Sequence, residues 1–134
     1  MARRSYISPT ALGLDGVDTS SGVTSNPVEA SRENKTDIKI ELLFAYSSAT
    51  AAEAYIEQSE DGTDWYMLEV VSVGPTLTTH RDRLFQKAVP GGALGWVIDI
   101  EDFSAPLWRI TVTTDGDSGD TVTAKAYQIK RFHR

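Results

Sequence analysis

The run Asp37-Ile38-Lys39-Ile40-Glu41-Leu42-Leu43-Phe44-Ala45-Tyr46 decides the fold. Successive side chains of an extended chain point to opposite sides, so Ile38, Ile40, Leu42, Phe44 and Tyr46 form one apolar row. Asp37, Lys39, Glu41, Leu43 and Ala45 form the other row, which makes this a long, half-buried strand. Downstream, Ala52 to Ser59 leads into Glu60-Asp61-Gly62-Thr63-Asp64, residues that tolerate left-handed backbone or bond back to their own chain. Trp65 to Ser72 then returns, and the two runs predict a β-hairpin.

The same pattern continues to the end of the chain. Gly74-Pro75 closes the hairpin, and Leu77 to Val89 reads as one further strand up to the break at Pro90-Gly91-Gly92. Trp96, Ile98 and Ile100 alternate with Val97, Asp99 and Glu101. After a loop over 102–106, Trp108, Ile110 and Val112 alternate with Arg109, Thr111 and Thr113. Asp115 to Asp120 reads as a tight connection into Thr121 to Phe132. No segment has the spacing of an amphipathic helix, and β-branched and aromatic residues gather in the strand runs. About seven strands separated by turn signals predict an all-β chain, a two-sheet antiparallel β-sandwich of jelly-roll or immunoglobulin-like type. Phe44, Trp65, Trp96 and Trp108 are expected to point inward and hold the sheets together.

Residues 1–33 follow neither period. They are rich in Ser, Thr, Gly, Pro, Asn and Asp, yet Tyr6, Ile7, Leu12, Leu14 and Val17 each favour a pocket. The segment is expected to be an extended N-terminal arm, ordered on assembly, with the sandwich domain over 34–134. Deleting residues 1–30 would then leave a folded body.

With 134 residues the chain holds enough apolar surface for one domain, and it contains no cysteine for disulfides, thiolate chemistry or Cys-ligated zinc. No apolar run approaches the ~20 residues of a membrane span, and the first residues are not expected to form a secretory signal. The net charge of −6 is uneven. Arg3, Arg4, Lys130, Arg131 and Arg134 place five cations and no acid at the ends, so eight of the 13 cations face all 19 acids in between, a body of −11. Such a body repels nucleic acid, while the basic tips suit an acidic protein surface.

Catalytic and metal chemistry find little support. Asp115-Gly116-Asp117-Ser118-Gly119-Asp120 has the start of a Ca²⁺ loop, but Gly119 and Ala126 stand where an EF-hand needs an acidic or amide residue and a glutamate. It reads as a solvated hairpin turn, with a weak Ca²⁺ site as the alternative. Glu60, Asp61, Asp64, Glu101 and Asp102 fall on turns, where water screens paired carboxylates. Neither His80 nor His133 has a serine-and-acid arrangement beside it. No enzyme, cofactor or metal is therefore expected. Arg81 and Arg83 share one side of a strand, as bidentate contact with a partner carboxylate or protection of an edge strand would require.

Ile56 to Trp65, with Ser59-x-Asp61-Gly62-x-x-Trp65, followed by Ala105-Pro106-Leu107-Trp108-Arg109-Ile110-Thr111-Val112, resembles a pattern of viral β-sandwich proteins. Together with the arm and the acidic body, it is most similar to the small head-decoration, or cement, proteins of tailed bacteriophages. A looser form occurs in discoidin-type carbohydrate- and lipid-binding domains. The decoration-protein resemblance implies a structural virion protein assembled in the host cytoplasm. It would be a homotrimer on the capsid surface that clamps subunits of the major capsid protein and has no nucleic-acid or membrane partner. Arg3, Arg4, Tyr6, Ile7, Leu12, Leu14, Arg81, Arg83, Arg131 and Phe132 are the expected contact residues. The alternative is a carbohydrate- or receptor-binding module built on Tyr55, Trp65 and Tyr66, which requires an exposed ring.

Overall fold

The alternating run over 37–46 becomes a ten-residue strand whose even-numbered side chains are buried from end to end. The computed structural model describes residues 2–31, 35–49, 51–68, 78–80, 83–87, 93–116 and 119–131; at 2, 3, 78–80, 83–87, 93, 94 and 131 the backbone alone is described. In chain order the elements are β1 (Ala2–Ile7), a single helical turn α1 (Pro9–Leu12), β2 (Val17–Asp18), β3 (Val23–Thr24), β4 (Val28–Glu29), β5 (Thr36–Ala45) and β6 (Ala51–Ser59). They continue with β7 (Tyr66–Met67), β8 (Thr78–His80), β9 (Arg83–Lys87), β10 (Ala93–Phe103), β11 (Leu107–Thr114) and β12 (Thr121–Arg131).

Two antiparallel sheets pack face to face, as the alternation predicts. The first has the order β1-β12-β5-β10, with β2 also on β12; the second has the order β3-β11-β6-β9-β8, with β4 on β11 and β7 on β6. Ile38, Ile40, Leu42 and Phe44 of β5 meet Trp108, Ile110 and Val112 of β11 in one core. Trp108 is wholly buried, and its indole Nε1 donates to Gln128 Oε1 at 3.0 Å, while Gln128 Nε2 donates to the Glu29 carbonyl at 3.0 Å. That relay gives the Trp108 indole and the Gln128 side-chain amide their partners and joins the two sheets through the core.

Consecutive strands repeatedly change sheet, and the crossings after β2, β5 and β11 share one end of the sandwich. Asp120 there is fully buried, and its Oδ1 accepts the amides of Ser47, Ser48 and Ala49 at 2.6, 3.2 and 3.2 Å. Asp115 Oδ1 accepts the Ala51 amide, and Thr19 bridges to Thr114 through their hydroxyls and to the Asp120 carbonyl through its amide. The expectation of a solvated hairpin turn over 115–120 is thus replaced by an inter-sheet crossing; residues 117 and 118 lie outside the described residues. Gly116 is required by close approach, because a Cβ there would run into the Asp120 carboxylate and the Ala49 backbone.

Three further readings change. Leu77 to Val89 is not one strand: β8 and β9 pair antiparallel, with His80 opposite Arg83. The loop expected from Asp102 begins later, since β10 continues through a bulge to Phe103, with Asp102 in the left-handed region at φ 56°. Residues 2–31 are built into the sandwich and do not form a separate arm. β1 and β2 add to the flank of β12 and β3 and β4 to the flank of β11, so this segment forms an edge of both sheets. Ser8 caps α1 by accepting the Ala11 amide, Gly13 ends it at φ 74°, and the turn carries Leu12 and then Leu14 into the core. Burying each leucine is worth about 1.5–3 kcal/mol.

Removing residues 1–31 is therefore expected to cost at least about 3 kcal/mol and to expose the flanks of β11 and β12. Thermal unfolding followed by circular dichroism checks this, and an unchanged melting temperature for 32–134 would restore the arm ordered only on assembly. A second expectation concerns pH. Tyr46 stacks on Phe44 at 5.4 Å, and its buried hydroxyl has no hydrogen-bond partner among the described residues. Burial, then the charge of Asp120, raises its pKa from 10.0 to about 12. The unfolded chain thus releases this proton before the folded one does, so stability falls as pH rises from about 10 through about 12. Ultraviolet difference absorbance should show one of the five tyrosines ionising last, and Tyr46→Phe should remove that step. Loss of that late step without loss of Tyr46 would contradict the assignment.

Candidate interaction surface

The outward faces of the sheets carry what the core does not use. On the first sheet, pairing sets side chains in rows across β1, β12, β5 and β10. One row is Tyr6, Tyr127, Lys39 and Asp99, and the next towards the chain ends is Arg4, Ile129 and Asp37, with the β10 bulge beyond. Arg4 places its guanidinium 4.3 Å from the centre of the Tyr127 ring, and Tyr6 tilts against the same ring at 5.3 Å. This cation–π contact orients an exposed cation without withdrawing it from water.

On the other side of the tyrosine row lies an apolar groove of about 480 Å³ between Tyr6, Pro9, Leu43, Gly95, Val97 and Thr123. Leu43, Val97 and Tyr6 are 55%, 43% and 56% exposed. Gly95 opens the hollow, because no atom lies within 4 Å of where its Cβ would be. Lys125 and Glu41 form an ion pair at 3.6 Å along its margin, on the solvated surface where such pairs contribute little stability.

The expected contact residues divide sharply. Pairing of β1 with β12 sets Arg3 opposite Lys130, Ala2 opposite Arg131 and Arg4 opposite Ile129, so the basic ends meet at one corner of the sandwich. Arg4 and Tyr6 are exposed there. Ile7 turns inward and packs against the core. Leu12 and Leu14 are fully buried in this chain's own core, which corrects their reading as partner contacts: the hydrophobic pull that suggested a docking arm is satisfied internally. Arg83 stands in β9 opposite Tyr55, and Arg81 and Phe132 lie outside the described residues. Leu43, Val97 and Gly95 were not among the expected contact residues; a leucine on the polar row of β5 was the available signal.

The second sheet corrects one aromatic. Trp65 is not in the core but half-buried on the outer face, with the Arg109 guanidinium 4.1 Å from its ring centre. Arg109 Nε also donates to Glu57 Oε1 at 3.0 Å. The preceding turn is built by Ser59 Oγ, which accepts the Gly62 amide, and by Asp61 Oδ1, which accepts those of Thr63 and Asp64. The amides of Asp64 and Thr63 hold the Asp61 carboxyl below the usual range. Glu60, Asp61 and Asp64 are exposed on this turn, as expected, and Tyr66 just beyond it is 65% exposed.

No protein-family model and no curated protein sequence matches the chain. Among solved structures, the SPBc2 prophage-derived protein YomS is similar at 15% identity over 96% of this chain and 95% of its own, with a TM-score of 0.45. The coat protein of Tobacco streak virus is similar at 10% identity over 99% of this chain and 88% of its own, with a TM-score of 0.48. A CBM4 structure is similar at 13% identity over 92% of this chain and 66% of its own, with a TM-score of 0.43. Each is a distant likeness of β-sandwich fold and assigns no family.

Proposed function

We propose that the chain is a structural virion protein that decorates a phage head and clamps neighbouring major capsid subunits, acting as a homotrimer and without catalysis. The supporting observation is the corner where β1 pairs with β12. It gathers the basic ends of an otherwise acidic molecule beside an exposed apolar groove. A cationic rim next to an apolar patch suits an acidic protein surface, with charge giving orientation and the groove giving buried area. Several copies on one lattice then add avidity.

In this reading the full chain co-purifies with icosahedral particles in a fixed copy number. Arg4→Glu together with Lys130→Glu is expected to weaken retention about tenfold or more, because rim charges steer and hold the complex. Quantitative mass spectrometry of gradient-purified particles measures both, and particles that lack the chain would overturn the reading. A carbohydrate-binding role is the second reading, favoured by the exposed ring of Tyr66 beside half-buried Trp65. It predicts a Trp fluorescence change on titration with oligosaccharides that Tyr66→Ala abolishes. Silence across a glycan array would remove it.

A further inference from the structure

The first sheet ends in two strands of opposite charge. β1, at one edge, carries Arg3 and Arg4 and no acid; β10, at the other, carries Asp99, Glu101 and Asp102 from its midpoint on and no cation. Among the described residues neither strand has a pairing partner on its outer side. Such edges present unpaired backbone groups, a template for another strand.

We infer that copies of this chain join head to tail through these edges, β10 of one copy pairing with β1 of the next so that the first sheet runs on from subunit to subunit. Strand polarity, row alignment and charge all support that junction. All neighbouring strands of the sheet are antiparallel, so β1 and β5 run one way and β12 and β10 the other. A following β1 therefore continues the alternation antiparallel. The rows then match without a shift. Tyr6, Tyr127, Lys39 and Asp99 lie in one row, and Arg4 lies in the row of Ile129 and Asp37 that reaches the bulge carrying Glu101 and Asp102.

Arg4 of the next copy consequently stands beside exposed Asp99 and Glu101. Like edges exclude one another: β10 against β10 over these residues sets carboxylate against carboxylate, and β1 against β1 sets cation against cation. The bulge and the Asp102 backbone, whose amide donates inward to Asp37 Oδ1 at 3.1 Å, limit the pairing to the part of β10 before Phe103. A head-to-tail contact closes into a ring when the angle between copies allows it, and otherwise gives an open chain. The junction does not depend on the capsid reading, because it is measured on the purified chain alone.

Analytical ultracentrifugation of the full-length protein over a concentration series, at low and at high salt, tests this. Association is expected at low salt and weakens as salt screens the edges. Asp99→Lys with Glu101→Lys, or Arg3→Glu with Arg4→Glu, should each weaken it about tenfold or more, and all four changes in one chain should restore it. That restoration separates a broken junction from a misfolded variant. Hydrogen exchange on the unaltered protein provides a second reading: the β10 amides over 95–100 should become more protected as concentration rises. A monomer at every concentration, association that ignores the charge reversals, or unchanged β10 protection in the associated form would each overturn the inference.

Discussion

The sandwich depends on one buried carboxylate. The chain passes between sheets after β2, after β5 and after β11, and these passages meet at the end where Asp120 is enclosed. Crossing backbone cannot use the ladder, so its amides need other acceptors or would lie buried and unsatisfied at about 1–3 kcal/mol each. One carboxylate oxygen meets three of them, at Ser47, Ser48 and Ala49, and the Asp120 carbonyl meets a fourth at Thr19. Gly116 leaves room for that oxygen pair to approach. At the opposite end the amide of Ala30 donates to the Pro106 carbonyl at 2.7 Å.

Those crossings explain why the strands could be read from the sequence while the connection between them could not. Alternation in β5, β10, β11 and β12 reports a local property, one wet face and one dry face, and each strand carries it in full. Asp115 to Asp120 has the composition of a hairpin turn because the same residues that tolerate tight backbone also accept amides from a distant segment. Whether Asp120 points to water or to Ser47 is settled by a contact 73 residues away. The single strand expected over 77–89 failed for a related reason. Composition alone does not separate two short antiparallel strands from one long one where no Gly, Pro or Asn falls between them.

The N-terminal segment was misread because edge strands of two residues are too short to show a period. β2, β3 and β4 each contribute one pair of register contacts, so their apolar residues look scattered although Leu12, Leu14 and Val28 are core residues. The hydrophobic content was legible and its destination was not. Burial inside the same molecule satisfies the same free-energy demand as docking on a neighbour. Trp65 shows the opposite error: a large aromatic was assigned to the core, yet it lies half-buried on the outer face with a guanidinium over its ring. Arg109 has the geometry for this because it lies opposite Glu57, which fixes it over the ring.

The interaction surface was half legible. Clustering of cations at the two ends of the sequence was plain, but their meeting at one corner follows from β1 pairing with β12, a long-range register that no local signal encodes. The groove beside them rests on a single departure from pattern, Leu43 among Asp37, Lys39, Glu41 and Ala45. A leucine there adds nothing to the core, which the other row already fills, and it exposes apolar surface to water beside Val97 and Tyr6. A net charge of −6 opposes close approach of copies over such an exposed patch, except where opposite charges align. In the proposed reading the apolar patch and the basic corner act on one face: charge selects what approaches it, and the groove supplies the area that contact would bury.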